Sequence, residues 1–211
     1  MSDERANQTH ETPVPDRRVR ADARRNEDAV LEAAKALFAT SGVDVPVREI
    51  AAKAGVGIGT LYRRFPKRSD LIAAVFRREV DACTADAATL ATEKPAGDAL
   101  SIWLRRYTDF IATKRGLASA LHSGDPAFDT LPAYFQSNFE PALAALLKTA
   151  ATAGVIRADV APYDLLRAIG NLSIACDADG ADHTRRMVDL LIDGLRFGAT
   201  DPSPTRHPAL R

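Results

Sequence analysis

Residues 50–65 read IAAKAGVGIGTLYRRF, and this stretch decides the fold. Ile50, Ala54, Val56 and Leu61 are apolar at spacings that tie two short helices together. Ala51 is small where the second helix must come close. Gly55 stands where the turn needs a positive φ, which glycine adopts without steric cost. The pattern predicts a helix-turn-helix whose second helix offers Gly57 to Arg64 to a DNA groove.

Charge supports that reading. The chain carries 28 Lys and Arg against 28 Asp and Glu, but not evenly. Residues 17–78 hold 14 basic against 7 acidic side chains, and the remainder 14 against 21. Arg63, Arg64, Lys67 and Arg68 cluster with no acid between them. A local positive field suits phosphate. A run of charge is more often a solvated face, yet this one abuts the turn, which favours nucleic-acid contact.

Outward from the motif the pattern is helical throughout. The chain has 211 residues, 46% of them hydrophobic, with few aromatics and much alanine, which favours helix over strand. Residues 1–21 are polar, with Pro13 and Pro15, and read as a disordered basic arm. Apolar periodicity predicts helices over 22–40, 46–53, 58–64, about 69–91, 98–113, 117–122, 132–153, 162–176 and 182–197. Gly42 and Gly154 are expected as helix caps, and Pro46 in a first turn. Pro141 is expected to kink or break its helix. Residues 199–211 read as a tail. The expectation is an all-α chain, with an N-terminal three-helix DNA-binding domain over 22–83 (motif about 47–66) and a C-terminal helical domain over 84–198.

The last two helices are apolar over more than one face. One face fills the subunit core, and the second calls for a partner, most simply the same pair from a second copy. Leu166, Gly170, Met187, Leu191, Gly194 and Leu195 are the candidate homodimer interface, with Gly170 and Gly194 permitting close approach.

Other chemistry is absent from the sequence. There is no run of about 18 apolar residues, so no membrane span is expected. The N-terminus lacks the apolar core of a secretory signal, and a cytoplasmic location is the default. Cys83 and Cys176 form no paired metal motif, and no metal or cofactor is expected. His122 precedes Ser123 and Asp125, but on a turn without nucleophile geometry. No enzyme activity is expected.

VREIAAKAGVGIGTLYRRF, followed by Lys67-Arg68-Ser69-Asp70-Leu71, resembles the signature of the tetracycline-repressor (TetR) family. The resemblance implies a homodimer, a palindromic double-stranded DNA operator and a small-molecule effector bound in the C-terminal domain. Position by position, it implies that Thr60 and Tyr62 contact groove and phosphate, with Arg63 and Arg64 beside them. Arg68 stands where a lysine is usual, and Arg48 matches a frequent second-helix contact. Gly57 replaces a common serine and Pro46 a common hydroxyl cap, while Lys67 supplies compensating charge. Gly57 and Gly59 let the backbone approach DNA, Ile58 suits a thymine methyl, and Arg63 suits guanine. Simple helix packing is the competing reading of Thr60 and Tyr62.

The effector pocket implied by the resemblance has a plausible lining in Trp103, Tyr107, Phe110, Phe135 and Phe139, with Asn138 and Asn171 as polar anchors. His122 is a further pocket candidate. A core role for the aromatics is the competing reading. The expected function is a ligand-released repressor. A non-specific nucleoid-type DNA binder, a helical enzyme with a basic surface and a protein adaptor are the alternatives.

Overall fold

The computed structural model describes residues 17–115, 123–174 and 180–197. Among them are eight α-helices, one short 3-10 turn and no strand. The 117–122 helix, His122, Cys176, and the segments 1–16 and 198–211 lie outside the described residues.

Helix α1 (Arg17–Ser41) begins earlier than expected, so the last five residues assigned to the arm are helical. Its buried face is Val30, Leu31, Ala34 and Phe38. Gly42 ends it at φ 75°, with its amide donating to the Phe38 carbonyl at 3.1 Å. Pro46 stands one residue ahead of α2 (Val47–Ala54) instead of inside it. Its ring fixes φ at −58° while ψ stays extended at 134°, and its carbonyl accepts from the Glu49 amide at 2.9 Å. Gly55 closes α2 at φ 68°, and the Val56 amide folds back to the Ala51 carbonyl at 3.0 Å. Helix α3 (Ile58–Arg64) then crosses α2 and buries Leu61. Phe65 stops it and is buried too, and Pro66 prevents continuation.

Helix α4 (Arg68–Glu93) has 26 residues and so is about 39 Å long. Buried positions run its whole length, from Leu71 and Ile72 to Ala87 and Leu90. It packs on α1 and also on α5 (Ala96–Arg115) and α6 (Leu131–Thr152), so one rod belongs to both domains. Surface ion pairs add to the α1–α4 seam, Lys35 to Glu79 at 2.8 Å among them; each is worth about 0–1 kcal/mol.

The C-terminal domain is α5, α6, α7 (Pro162–Ile174) and α8 (Gly180–Arg196). Helix α6 runs through Pro141 without a break. Pro141 and Ser137, whose carbonyl the proline cannot satisfy, are both exposed, so water can replace the missing donor. Gly154 ends the turn after α6 at φ 68°. The core is aromatic. Trp103 stacks on Tyr107 at 5.7 Å, and Phe139 meets Tyr107 at 5.2 Å, Phe110 at 5.1 Å and Phe135 at 4.7 Å. The polar atoms of this cluster are satisfied: Trp103 Nε1 donates to the Cys83 carbonyl at 2.8 Å and the Tyr107 hydroxyl to the Leu166 carbonyl at 3.3 Å. Burial pushes the Tyr107 hydroxyl pKa up, and burial, followed by nearby Asp86, pushes the Cys83 thiol up to about 12. Neither group ionises near neutral pH, so both serve packing.

Candidate nucleic-acid interface and effector cavity

Helix α3 is amphipathic in an unusual sense: its outward face keeps large apolar groups in water. Ile58 and Tyr62 are each 48% exposed, against 2% for Leu61 on the inward side. Arg48, Gly57, Gly59, Arg63, Arg64 and Lys67 are exposed around them, and Thr60 is half-buried. A Cβ placed on Gly59 would meet nothing within 4 Å, so the bare backbone there serves no internal packing. Eight of the ten sequence-derived contact residues are therefore exposed, and the half-buried Thr60 is the ninth. The tenth is Arg68.

The structure gives Arg68 an internal partner. Its guanidinium donates to the Val43 carbonyl, from Nε at 2.7 Å and from a terminal nitrogen, and also to the Val45 carbonyl. Val43 and Val45 are buried in the loop between α1 and α2, where their carbonyls need donors. Arg68 is half-buried and ties this loop to the start of α4. Arg68 is thus a structural tie, because an arginine fork reaches two carbonyls that a lysine would meet singly. Arg64 also has a partner, Glu27 of α1, at 2.7 Å. The hydrogen bond and then the charge of Glu27 raise the Arg64 pKa further. Sequence reading missed Glu27; it lies 37 residues away and carries no local signal. Arg63 reaches Thr60 Oγ1 at 3.4 Å, one turn back on the same helix.

A cavity of about 250 Å³ opens among α5, α6 and α7. Of the eight expected pocket residues, Tyr107, Phe135 and Asn171 line it. Trp103 and Phe139 are fully buried behind it, as core. Phe110 is buried and outside the lining, and the Asn138 amide donates to the Tyr134 carbonyl of its own helix at 2.7 Å. Ile111, Gln136, Tyr163 and Arg167 complete the wall and were not anticipated. Leu166 and Gly170, expected at a dimer interface, also line this cavity. Leu166 and Leu195 are buried within the single chain, so they fill its own core and do not face a partner. Met187 and Leu191 are half-buried and Gly194 exposed on α8, beside Leu190 at 64% and Phe197 at 84% exposure.

Among the described residues, no cluster of three or more His, Cys, Asp or Glu can hold a metal, and no helix is long and apolar enough to cross a membrane. A head of this geometry is a helix-turn-helix DNA-binding unit, and the chain is of the class of transcriptional regulators built on one. The family profile described as bacterial regulatory proteins, tetR family, matches residues 30–75. The profile described as transcriptional regulator SbtR-like, C-terminal domain, matches residues 95–197. The crystal structure of the TetR transcriptional regulator SCO0520 from Streptomyces coelicolor is 38% identical, covering 81% of this chain and 98% of that one, with a TM-score of 0.70. A TetR transcription regulatory protein from Mycobacterium vanbaalenii is 35% identical over 84% of this chain and 99% of its own, with a TM-score of 0.64. An HTH-type transcriptional regulator from Staphylococcus aureus (strain USA300) is 41% identical over 64 residues, which are 30% of this chain and 35% of that protein. The match therefore spans about a third of that curated relative's length. The chain belongs to the TetR family of transcriptional regulators.

Proposed function

We propose that this regulator is a homodimeric repressor that occupies a palindromic operator through α3 and leaves it when a small molecule enters the cavity among α5, α6 and α7. The observation that carries the reading is the pairing of a solvent-facing apolar and basic α3, whose domain packs on the rod α4 through α1, with a cavity in the other domain, two of whose walls, α5 and α6, pack on the same rod. Arg48, Tyr62, Arg63, Arg64 and Lys67 hold phosphate and set register. Ile58 and Arg63 read base edges, and Gly57 and Gly59 bring the backbone close. Two heads recognise half-sites about 34–36 Å apart, so a ligand that prefers another spacing releases DNA. A coupling of about 1–3 kcal/mol suffices for a useful response.

Support for the coupling comes from a bracket between the domains. The Asp125 carboxylate, in the 3-10 turn segment (Pro126–Phe128), accepts from the Ala127 amide at 2.9 Å and from the Ser69 hydroxyl at the start of α4. Arg77 of α4 donates to Thr130 at 2.8 Å, and Tyr134 of α6 donates to Asp81 of α4. Phe135, which lines the cavity, is the next residue on α6. A ligand that moves the first turn of α6 therefore pulls on the rod that carries the head.

The test is selection of bound sequences from a random DNA pool, with wild type and Tyr62→Ala in parallel. A palindromic motif enriched by wild type alone is the expected outcome. Salt-sensitive binding to every sequence, without enrichment, would replace this reading with the nucleoid-type one.

A further inference from the structure

We propose that the cavity takes a small aromatic carboxylate, its ring lying against Tyr107 and Phe135 and its carboxylate on the Arg167 guanidinium. The inference rests on the reading of this cavity as the effector site. It comes from size, lining and charge.

Size favours a ligand of about one ring. The volume is about 250 Å³, below the roughly 300–1,000 Å³ of drug-sized sites. The inner wall is apolar, from Ile111, Leu166 and two rings, Tyr107 and Phe135, with centroids 6.1 Å apart and planes tilted by 51°. A flat ring entering there finds edge and face contacts that an aliphatic chain does not.

Charge decides the head group. Among the described residues, Arg167 is the charged residue of the lining, and no carboxylate lines the cavity with it. Among the described residues it has no ion pair; one terminal nitrogen donates to the Tyr163 hydroxyl at 3.1 Å. The other donors of its fork remain for a planar, bidentate carboxylate. Asn171 lies four residues on, on the same side of α7, and supplies a second polar contact. Gly170 between them leaves open space, since a Cβ there would meet nothing within 4 Å. A cationic ligand is repelled by this mouth.

The probe is benzoate, with benzamide as its neutral counterpart and hexanoate as its aliphatic one, titrated into the full chain. Trp103 is the chain's single tryptophan and stacks on Tyr107, so its fluorescence reports occupancy, with calorimetry as the second readout. Benzoate is expected to saturate and to bind more tightly than either comparison compound. Arg167→Gln, at an exposed position, should weaken benzoate about tenfold or more and leave benzamide unchanged. Gly170→Leu should fill the cavity and abolish both. Equal binding of benzoate and benzamide, still lost in Gly170→Leu, overturns the carboxylate and keeps the cavity. Binding that survives Gly170→Leu, or no saturable binding of any probe, overturns the proposal and the effector-site reading with it.

Discussion

At the scale of the residue, Arg68 shows how a motif position can carry an internal structural duty. It sits where the family's phosphate-contacting cation would sit, yet its guanidinium satisfies the carbonyls of Val43 and Val45. Truncation leaves those buried acceptors without donors, at a cost of about 1–3 kcal/mol. Arg68→Ala should therefore lower the urea midpoint measurably, while Lys67→Ala, at an exposed neighbour, should not. Gly59 makes the opposite case. Alanine there has room and gains up to about 1 kcal/mol of helix propensity. Gly59→Ala is expected to raise thermal stability and to weaken binding to the selected operator, because the added methyl stands between backbone and DNA. If operator affinity is unchanged in fluorescence anisotropy, the backbone does not approach the groove at that point.

At the scale of the element, the bracket between the 3-10 turn and α4 is titratable. The Ala127 amide first, and the Ser69 hydroxyl second, hold the Asp125 pKa below the usual carboxylate range. A lowered folded-state pKa stabilises the fold above the unfolded pKa, and that stability is lost as pH falls through the folded value. Denaturation curves should show wild type losing its advantage over Asp125→Asn as pH drops from neutral into the acid carboxylate range. Parallel curves for the two proteins over that range would remove Asp125 from the bracket. The elements themselves were largely legible in the chain. Ends marked by Gly42, Gly55 and Gly154 came out at positive φ as the turns demand. Starts were less legible: α1 begins at Arg17 because alanine and arginine continue a helix that polarity alone suggested was disordered.

At the scale of the whole molecule, α8 leaves apolar groups in water. Leu190 and Phe197, with Met187 and Gly194, fall at intervals of three and four residues along one outward face. The opposite face, with Val188, Ile192 and Leu195, is already used by the core. We therefore place the homodimer interface of the proposed function on the outward stripe. Leu190→Glu should turn a dimer into a monomer in sedimentation velocity and leave the helical circular dichroism intact. A dimer that persists in this variant would move the interface elsewhere. Leu166 and Leu195, expected at that interface, are buried within the single chain. A helix that is apolar on two sides gives no sign of which side meets its own chain.

The sequence by itself determined the all-helical class, the turn at Gly55, the face of α3 and the family, because these depend on local φ preferences and on spacings of three and four residues. Tertiary structure alone decided which residues find each other across the chain. It brought Glu27 to Arg64 and Arg68 to the α1–α2 loop, and it set Arg167 at the rim of a cavity floored by Tyr107 and Phe135. These pairings join positions 25 to 60 residues apart or on separate helices, and no local preference encodes them. They follow from how α4 packs on α1, α5 and α6 at once.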